Sequence, residues 1–159
     1  MTTRRNPHAA HAGMTLVELM IVLVILAILA AVAWPSYQNA VQRSRRADAV
    51  AALTEIMQAQ ERWRANNPAY KATLTEPALP GTRTVSSDGH YNLTLSVPDA
   101  PANASTYTAV ATVRNGSPQT ADSRCQVMRV VVAGGNIAYT SGASADATNA
   151  GTPDPCWQK

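Results

Sequence analysis

The chain is short of the groups that catalysis and metal binding require. Its 159 residues include two cysteines and three histidines, and His8 and His11 both fall within the first thirteen positions, leaving His90 alone in the remainder. A zinc site takes four ligands, so one histidine and two cysteines do not make one. No pair of acids stands at a telling spacing. Gly134-Gly135 lacks the helix that a phosphate-cradling loop must open. Ser86-Ser87-Asp88 beside His90 has the residue types of a hydrolytic triad. Neighbours on one turn rarely converge on a reacting atom, however, and the cluster reads as loop polarity. No cofactor, no metal and no enzymatic activity are expected. Internal repeats are also missing, and nothing after residue 35 is apolar enough to cross a membrane a second time.

What the chain does have is one long apolar run near its start. From Met14 to Ala33 every residue is apolar except Thr15 and Glu18. As a helix this run is about 30 Å long, the thickness of a bilayer core. Met1–Gly13 precede it with Arg4, Arg5 and no acid. A basic segment before an apolar run suggests a secretory signal, but this run exceeds the usual core of about 7–15 residues. Its one small-x-small sequence, Ala31-Val32-Ala33, is followed by Trp34-Pro35, a poor substrate for cleavage. An acid within such a segment is a functional flag by default. Glu18 is either a hydrated or protonated acid near the interface of a plain anchor, or it has a specific partner.

Beyond the run the helix is expected to continue. Pro35 removes one backbone hydrogen bond and predicts a kink rather than a stop. Ser36 to Asn66 contains no Pro or Gly, and Ala49, Ala52, Leu53, Ile56, Met57 and Trp63 share one face at helical spacing. Asp48, Glu55 and Arg62 repeat at steps of seven on another face, and Asn66-Asn67-Pro68 ends the pattern. A helix from Met14 to Asn66 would be about 80 Å long. Its first half must therefore lie in a membrane or among other subunits, while its second half presents a stripe for a sheet. Residues 68–90 are rich in turn formers. Tyr91–Val97 then alternates strictly, with apolar residues at odd positions. Thr106–Val113, Cys125–Val132 and Asn136–Thr140 follow as strands, the last two joined by the tight turn Gly134-Gly135. Sequential strands with short links favour an antiparallel sheet. The expected class is α+β, with one domain on one long helix.

Charge alone does not orient the chain. Arg4 and Arg5 lie on one side of the apolar run, and Arg43, Arg45 and Arg46 on the other. The second cluster suits anionic lipid headgroups, acids of neighbouring subunits, or plain solvent. Cys125 and Cys156 break the tie. In an exported domain two cysteines read as one disulfide; in the cytosol they would be free thiols or half a metal site. The disulfide is expected, and with it an oxidising compartment, the periplasm. The tail from Ser141 to Pro155 is small and polar, and needs Cys156 to pin it.

Gly13-Met14-Thr15-Leu16-Val17-Glu18-Leu19 followed by an apolar helix resembles the type IV pilin N-terminal methylation motif. The resemblance implies that a prepilin peptidase cuts between Gly13 and Met14 and methylates the new amine of Met14. The family's usual first mature residue is phenylalanine, and here it is methionine. Glu18 becomes the fifth mature residue, and the amine of a neighbouring subunit becomes the cation that meets it and sets assembly register. Cleavage would remove Arg4 and Arg5 from thirteen basic side chains, leaving eleven against ten acids. A net charge falling from +3 to +1 weakens any argument for nucleic-acid binding from the chain's pI.

The implied architecture is the type IV pilin fold. Residues 1–13 form a leader, 14–35 a membrane-spanning and filament-core helix, and 36–67 its amphipathic second half. An αβ-loop over 68–90 then leads to a four-stranded antiparallel sheet with a disulfide-bounded region over 91–159. Tyr91-Asn92-Leu93-Thr94-Leu95, Thr106-Tyr107-Thr108 and the closing Cys156-Trp157 are most similar to minor pilins of the PilE type. A structural subunit of this family is held in the inner membrane and then drawn into an extracellular filament. It serves pilus biogenesis, adhesion, twitching motility or DNA uptake. Its partners would be major and minor pilins, the prepilin peptidase, the inner-membrane assembly platform, and membrane lipid before assembly. A type II secretion pseudopilin, a pilin that receives DNA, and a plain membrane-anchored periplasmic binding module remain as alternatives. The charge balance makes DNA the weaker of the expected partners.

Overall fold

The computed structural model describes residues 14–74, 79–98, 105–145, 148–149 and 154–157. Helix α1 runs from Leu16 to Arg64 without a break. Thr15 starts it: its carbonyl accepts from Leu19 N at 3.2 Å and its hydroxyl from Glu18 N at 3.2 Å. Those bonds satisfy amide donors that the first turn leaves open. Pro35 lies inside the helix, which continues through it. At the other end Asn67 Nδ2 donates to the Trp63 carbonyl at 2.8 Å, and Pro68 follows. The helix therefore ends two residues short of the expected Asn66, where its last carbonyls turn to side chains.

The chain forms two compact units, residues 1–39 and 40–159. Among its described residues the first is helix, and none of its apolar window is buried. The second is built on the remainder of α1, which buries Asp48, Ala49, Ala52, Leu53, Ile56, Ala59 and Gln60. Four strands complete it: β1 (Tyr91–Ser96), β2 (Thr106–Val113), β3 (Val127–Ala133) and β4 (Asn136–Gly142). They form one antiparallel sheet in the order β1-β2-β3-β4.

Period-two alternation decides which strand residues meet the helix. Tyr91 and Leu93 from β1, Tyr107, Ala109 and Ala111 from β2, and Met128, Val130 and Val132 from β3 join Ala49, Ala52, Leu53 and Ile56 in one core. The register supports this face, since Tyr107 sits opposite Val132, Ala109 opposite Val130, and Ala111 opposite Met128. Leu53 and Ile56 are each at most 1% exposed, and burial of such a side chain contributes about 1.5–3 kcal/mol.

Strand β2 keeps the bounds read from the sequence, and β1 ends one residue early. Strand β3 begins two residues after the expected Cys125, because that cysteine is joined to Cys156. Strand β4 runs on to Gly142, where Ser141 is fully buried. Gly134 and Gly135, at φ of 56° and 85°, make the expected tight turn. A short 3₁₀ turn at Pro118–Ala121 was not foreseen; Ser117 caps it and Pro118 opens it.

Candidate functional site

Three places in the chain gather groups able to act. The first is the start of α1. Gly13 lies outside the described residues. Met14 is 62% exposed, and Thr15 and Glu18 stand as N-cap and third helical residue. A Thr-x-x-Glu spacing before an apolar run is the sequence mark of a capping box. Thr15 therefore has a structural duty that its place in the apolar run did not suggest. The Glu18 carboxylate also sits where a helix N-terminus favours negative charge. Its side chain has no protein partner among the described residues, so it remains available to another cation.

The second place is a polar seam where α1 meets two loops. Asp48 was placed by its spacing on a polar face with Glu55 and Arg62, yet it is 6% exposed. Its carboxylate accepts from Ser86 Oγ at 2.6 Å, Asp88 N at 3.1 Å and His90 N at 3.4 Å. Ser86 Oγ in turn accepts from Tyr91 N at 2.9 Å. The Ser86, Asp88 and His90 group is thus a staple that ties the αβ-loop to the helix. His90 Nδ1 turns away to Ser117 Oγ at 3.1 Å.

Ser117 leads to the other side of the seam. Its hydroxyl accepts from Gln119 N at 3.2 Å, and Gln119 Nε2 donates to Asp122 at 2.8 Å. Asp122 closes on Arg46, with Nε–Oδ2 at 2.6 Å and side-chain exposures of 16% for Arg46 and 4% for Asp122. Arg46 therefore pairs with an acid of its own chain, rather than meeting lipid, a neighbouring subunit or plain solvent. Removing one partner of a fully buried pair costs about 3–5 kcal/mol, and less here because Arg46 keeps some water. Beside this pair the Tyr91 hydroxyl and Gln119 Oε1 are buried without a hydrogen-bond partner among the described residues. Burial, reinforced by Asp122, pushes the Tyr91 phenol well above its ordinary value, with the Gln119 amide acting in the opposite direction. Tyr107, also buried, is raised in the same way, with Glu61 the next cause.

The third place surrounds the disulfide. Cys125 and Cys156 are joined with Cα atoms 5.8 Å apart, as expected. Asp154 Oδ1 accepts from Ser141 Oγ at 2.5 Å and from Cys156 N at 2.9 Å. Asn149 Nδ2 reaches the Arg124 carbonyl at 3.0 Å. Trp157 donates to the Thr140 carbonyl at 3.1 Å and packs its ring 4.9 Å from that of Tyr139. An open cleft of about 290 Å³ runs between Cys156 and Trp157 on one side and Arg43, Arg46, Ala47, Val50 and Ala51 on the other.

Cations differ in how far the chain itself engages them. Arg64 lies over the Tyr70 ring and Lys71 over that of Trp63. Arg114 donates to the Gly89 carbonyl, and Arg129 to those of Ser144 and Ala145. Among the described residues the side chains of Arg43, Arg45, Arg62 and Arg124 have no protein partner. One of these, Arg43, lines the cleft beside Cys156, whose sulfur lies 3.8 Å from the backbone carbonyl of Arg124. Residues 43 and 156 are too far apart in sequence for spacing to reveal that they share a cleft.

Two family models match the chain. One, the prokaryotic N-terminal methylation motif, covers residues 9–34. The other covers residues 35–129 and is described as type IV minor pilin ComP, DNA uptake sequence receptor. No curated protein matches the sequence.

Proposed function

Because the chain belongs to the ComP family of type IV minor pilins, we propose that it is the subunit through which a pilus takes hold of DNA. The methylation motif and the apolar helix behind it anchor the chain in the inner membrane before assembly into an extracellular pilus. In this reading the prepilin peptidase cuts between Gly13 and Met14 and methylates Met14. Glu18 then meets the amine of a neighbouring major or minor pilin, and Pro35 bends the helix as the assembly platform draws the subunit in. Glu18→Ala is expected to leave the subunit in the membrane and out of sheared pili. Normal incorporation of that variant refutes the register role.

The observation that carries the DNA reading is that the guanidiniums of Arg43, at the cleft beside the disulfide, and of Arg124 have no protein partner among the described residues. Net charge near zero does not preclude phosphate contacts when individual cations are left unengaged and acids are spent on internal hydrogen bonds. Asp122 and Asp154 are spent in this way. Mature, detergent-solubilised chain should bind duplex DNA with an affinity that falls steeply with salt. Arg43→Ala and Arg124→Ala should each lower the slope of log affinity against log salt by about 0.9. Absence of binding at low salt, or a slope that neither change moves, sinks the DNA reading and leaves the chain a structural minor pilin.

A further inference from the structure

The three tryptophans are not equivalent. Trp63 donates its indole N–H to the Ala69 carbonyl at 3.2 Å, and Trp157 to that of Thr140 at 3.1 Å. Trp34 has no such partner among the described residues and is 63% exposed. One turn on, Tyr37 is 65% exposed with its hydroxyl likewise unpartnered, and the two rings sit 6.4 Å apart on one side of the helix. A large ring with a wet polar tip suits neither open water nor hydrocarbon. It suits the boundary between them.

The surrounding sequence places that boundary at the same point. The apolar run ends at Ala33, and Ser36, Gln38 and Asn39 follow. Pro35 has no N–H, so the Ala31 carbonyl loses its helical partner. A freed carbonyl is expensive in hydrocarbon and tolerable where water and headgroups reach it. We infer that Trp34 and Tyr37 form an anchor to the headgroup boundary of a phospholipid bilayer and fix how deep the apolar helix sits. The inference rests on the membrane residence of that helix.

The anchor has a consequence at the far end. Glu18 lies sixteen residues before Trp34, about 24 Å along the helix. With Trp34 held at one rim of a core about 30 Å thick, Glu18 falls about 6 Å inside the other. It then rests within reach of water and the new amine of Met14, not at the bilayer centre. The anchor thus keeps the acid of a waiting subunit shallow.

Two measurements on the full mature chain in phospholipid vesicles test this. Tryptophan emission should be quenched about twofold more by bromines near the glycerol end of the acyl chains than by bromines near the bilayer centre. Trp34→Phe should remove that difference. Stronger quenching from the centre, or a difference that survives Trp34→Phe, overturns the anchor. For the second, Asn39→Cys supplies a single reactive thiol, since both native cysteines are in the disulfide. Replacing Trp34 and Tyr37 together with leucine lengthens the apolar run and should slow labelling of that thiol by a membrane-impermeant maleimide about threefold. An unchanged rate, in a variant that keeps its disulfide, overturns the depth-setting role. A chain that fails to float with vesicles at all overturns the membrane reading as well.

Discussion

One helix serves two regions that obey opposite rules. Up to Ala33, α1 is apolar on every side apart from Glu18, and none of its side chains is buried. From Ala40 onward the apolar residues narrow to a stripe, and seven residues are buried. A stripe can be covered by one sheet from its own chain, whereas an all-round apolar surface has to be covered by something outside it. The difference teaches that a continuous backbone can carry an intermolecular interface and a domain core in sequence. What separates them is the width of the apolar face.

The comparison breaks most sharply at the disulfide, which belongs to the second region alone. A crosslink of sequence separation 31 contributes about 3.7 kcal/mol on the chain-entropy estimate. Replacing Cys125 and Cys156 with serine should lower the stability of the folded domain by that amount, read from its denaturation curve. The helicity of the apolar half in detergent should be unchanged; if both fall together, the two regions are one cooperative unit.

Leucine truncation makes the same contrast residue by residue. Leu53 is fully buried and Leu26 is 54% exposed. Leu53→Ala should cost about 3 kcal/mol of domain stability by leaving a cavity. Leu26→Ala should shift the same unfolding curve by less than about 0.5 kcal/mol. A large effect from Leu26 would mean that the apolar half packs on the domain.

The smallest effect concerns two buried phenols. Tyr91 and Tyr107 are both raised above an ordinary value of 10.0. A group whose folded value is raised favours its protonated form in the fold, so that stability is fully present below pH 10 and is lost as pH climbs beyond it. Unfolding followed across that range should show stability falling steadily, and less so in Tyr91→Phe. At neutral pH that change should cost no more than about 1 kcal/mol, because the hydroxyl it removes has no hydrogen-bond partner to strand.

Legibility follows the distance over which each feature is determined. Helical spacing placed Ala49, Ala52, Leu53 and Ile56 in the core, and strict alternation did so for Tyr91 and Leu93. Met57 and Trp63, read with them, are only partly buried. Asp48 misled because a periodic acid reads as solvated until its donors, forty residues away, are in place. Arg46 misled for the same reason: Asp122 lies 76 positions along the chain. Thr15 was legible through its spacing to Glu18 and was hidden only by the apolar run around it.

By itself, the sequence determined the long helix, its division into an all-round and a one-sided apolar half, the strands, and the membership of the N-terminal motif. All of these rest on local periodicity or on contiguous residues, which a linear string records in full. Only the tertiary structure decided which charges are engaged and which are left over. Arg46 and Asp48 are consumed inside the domain, while the side chains of Arg43, Arg45, Arg62 and Arg124 have no protein partner among the described residues. The energy of a charge is set by the water and partners around it, and those come from segments that the chain brings together only on folding.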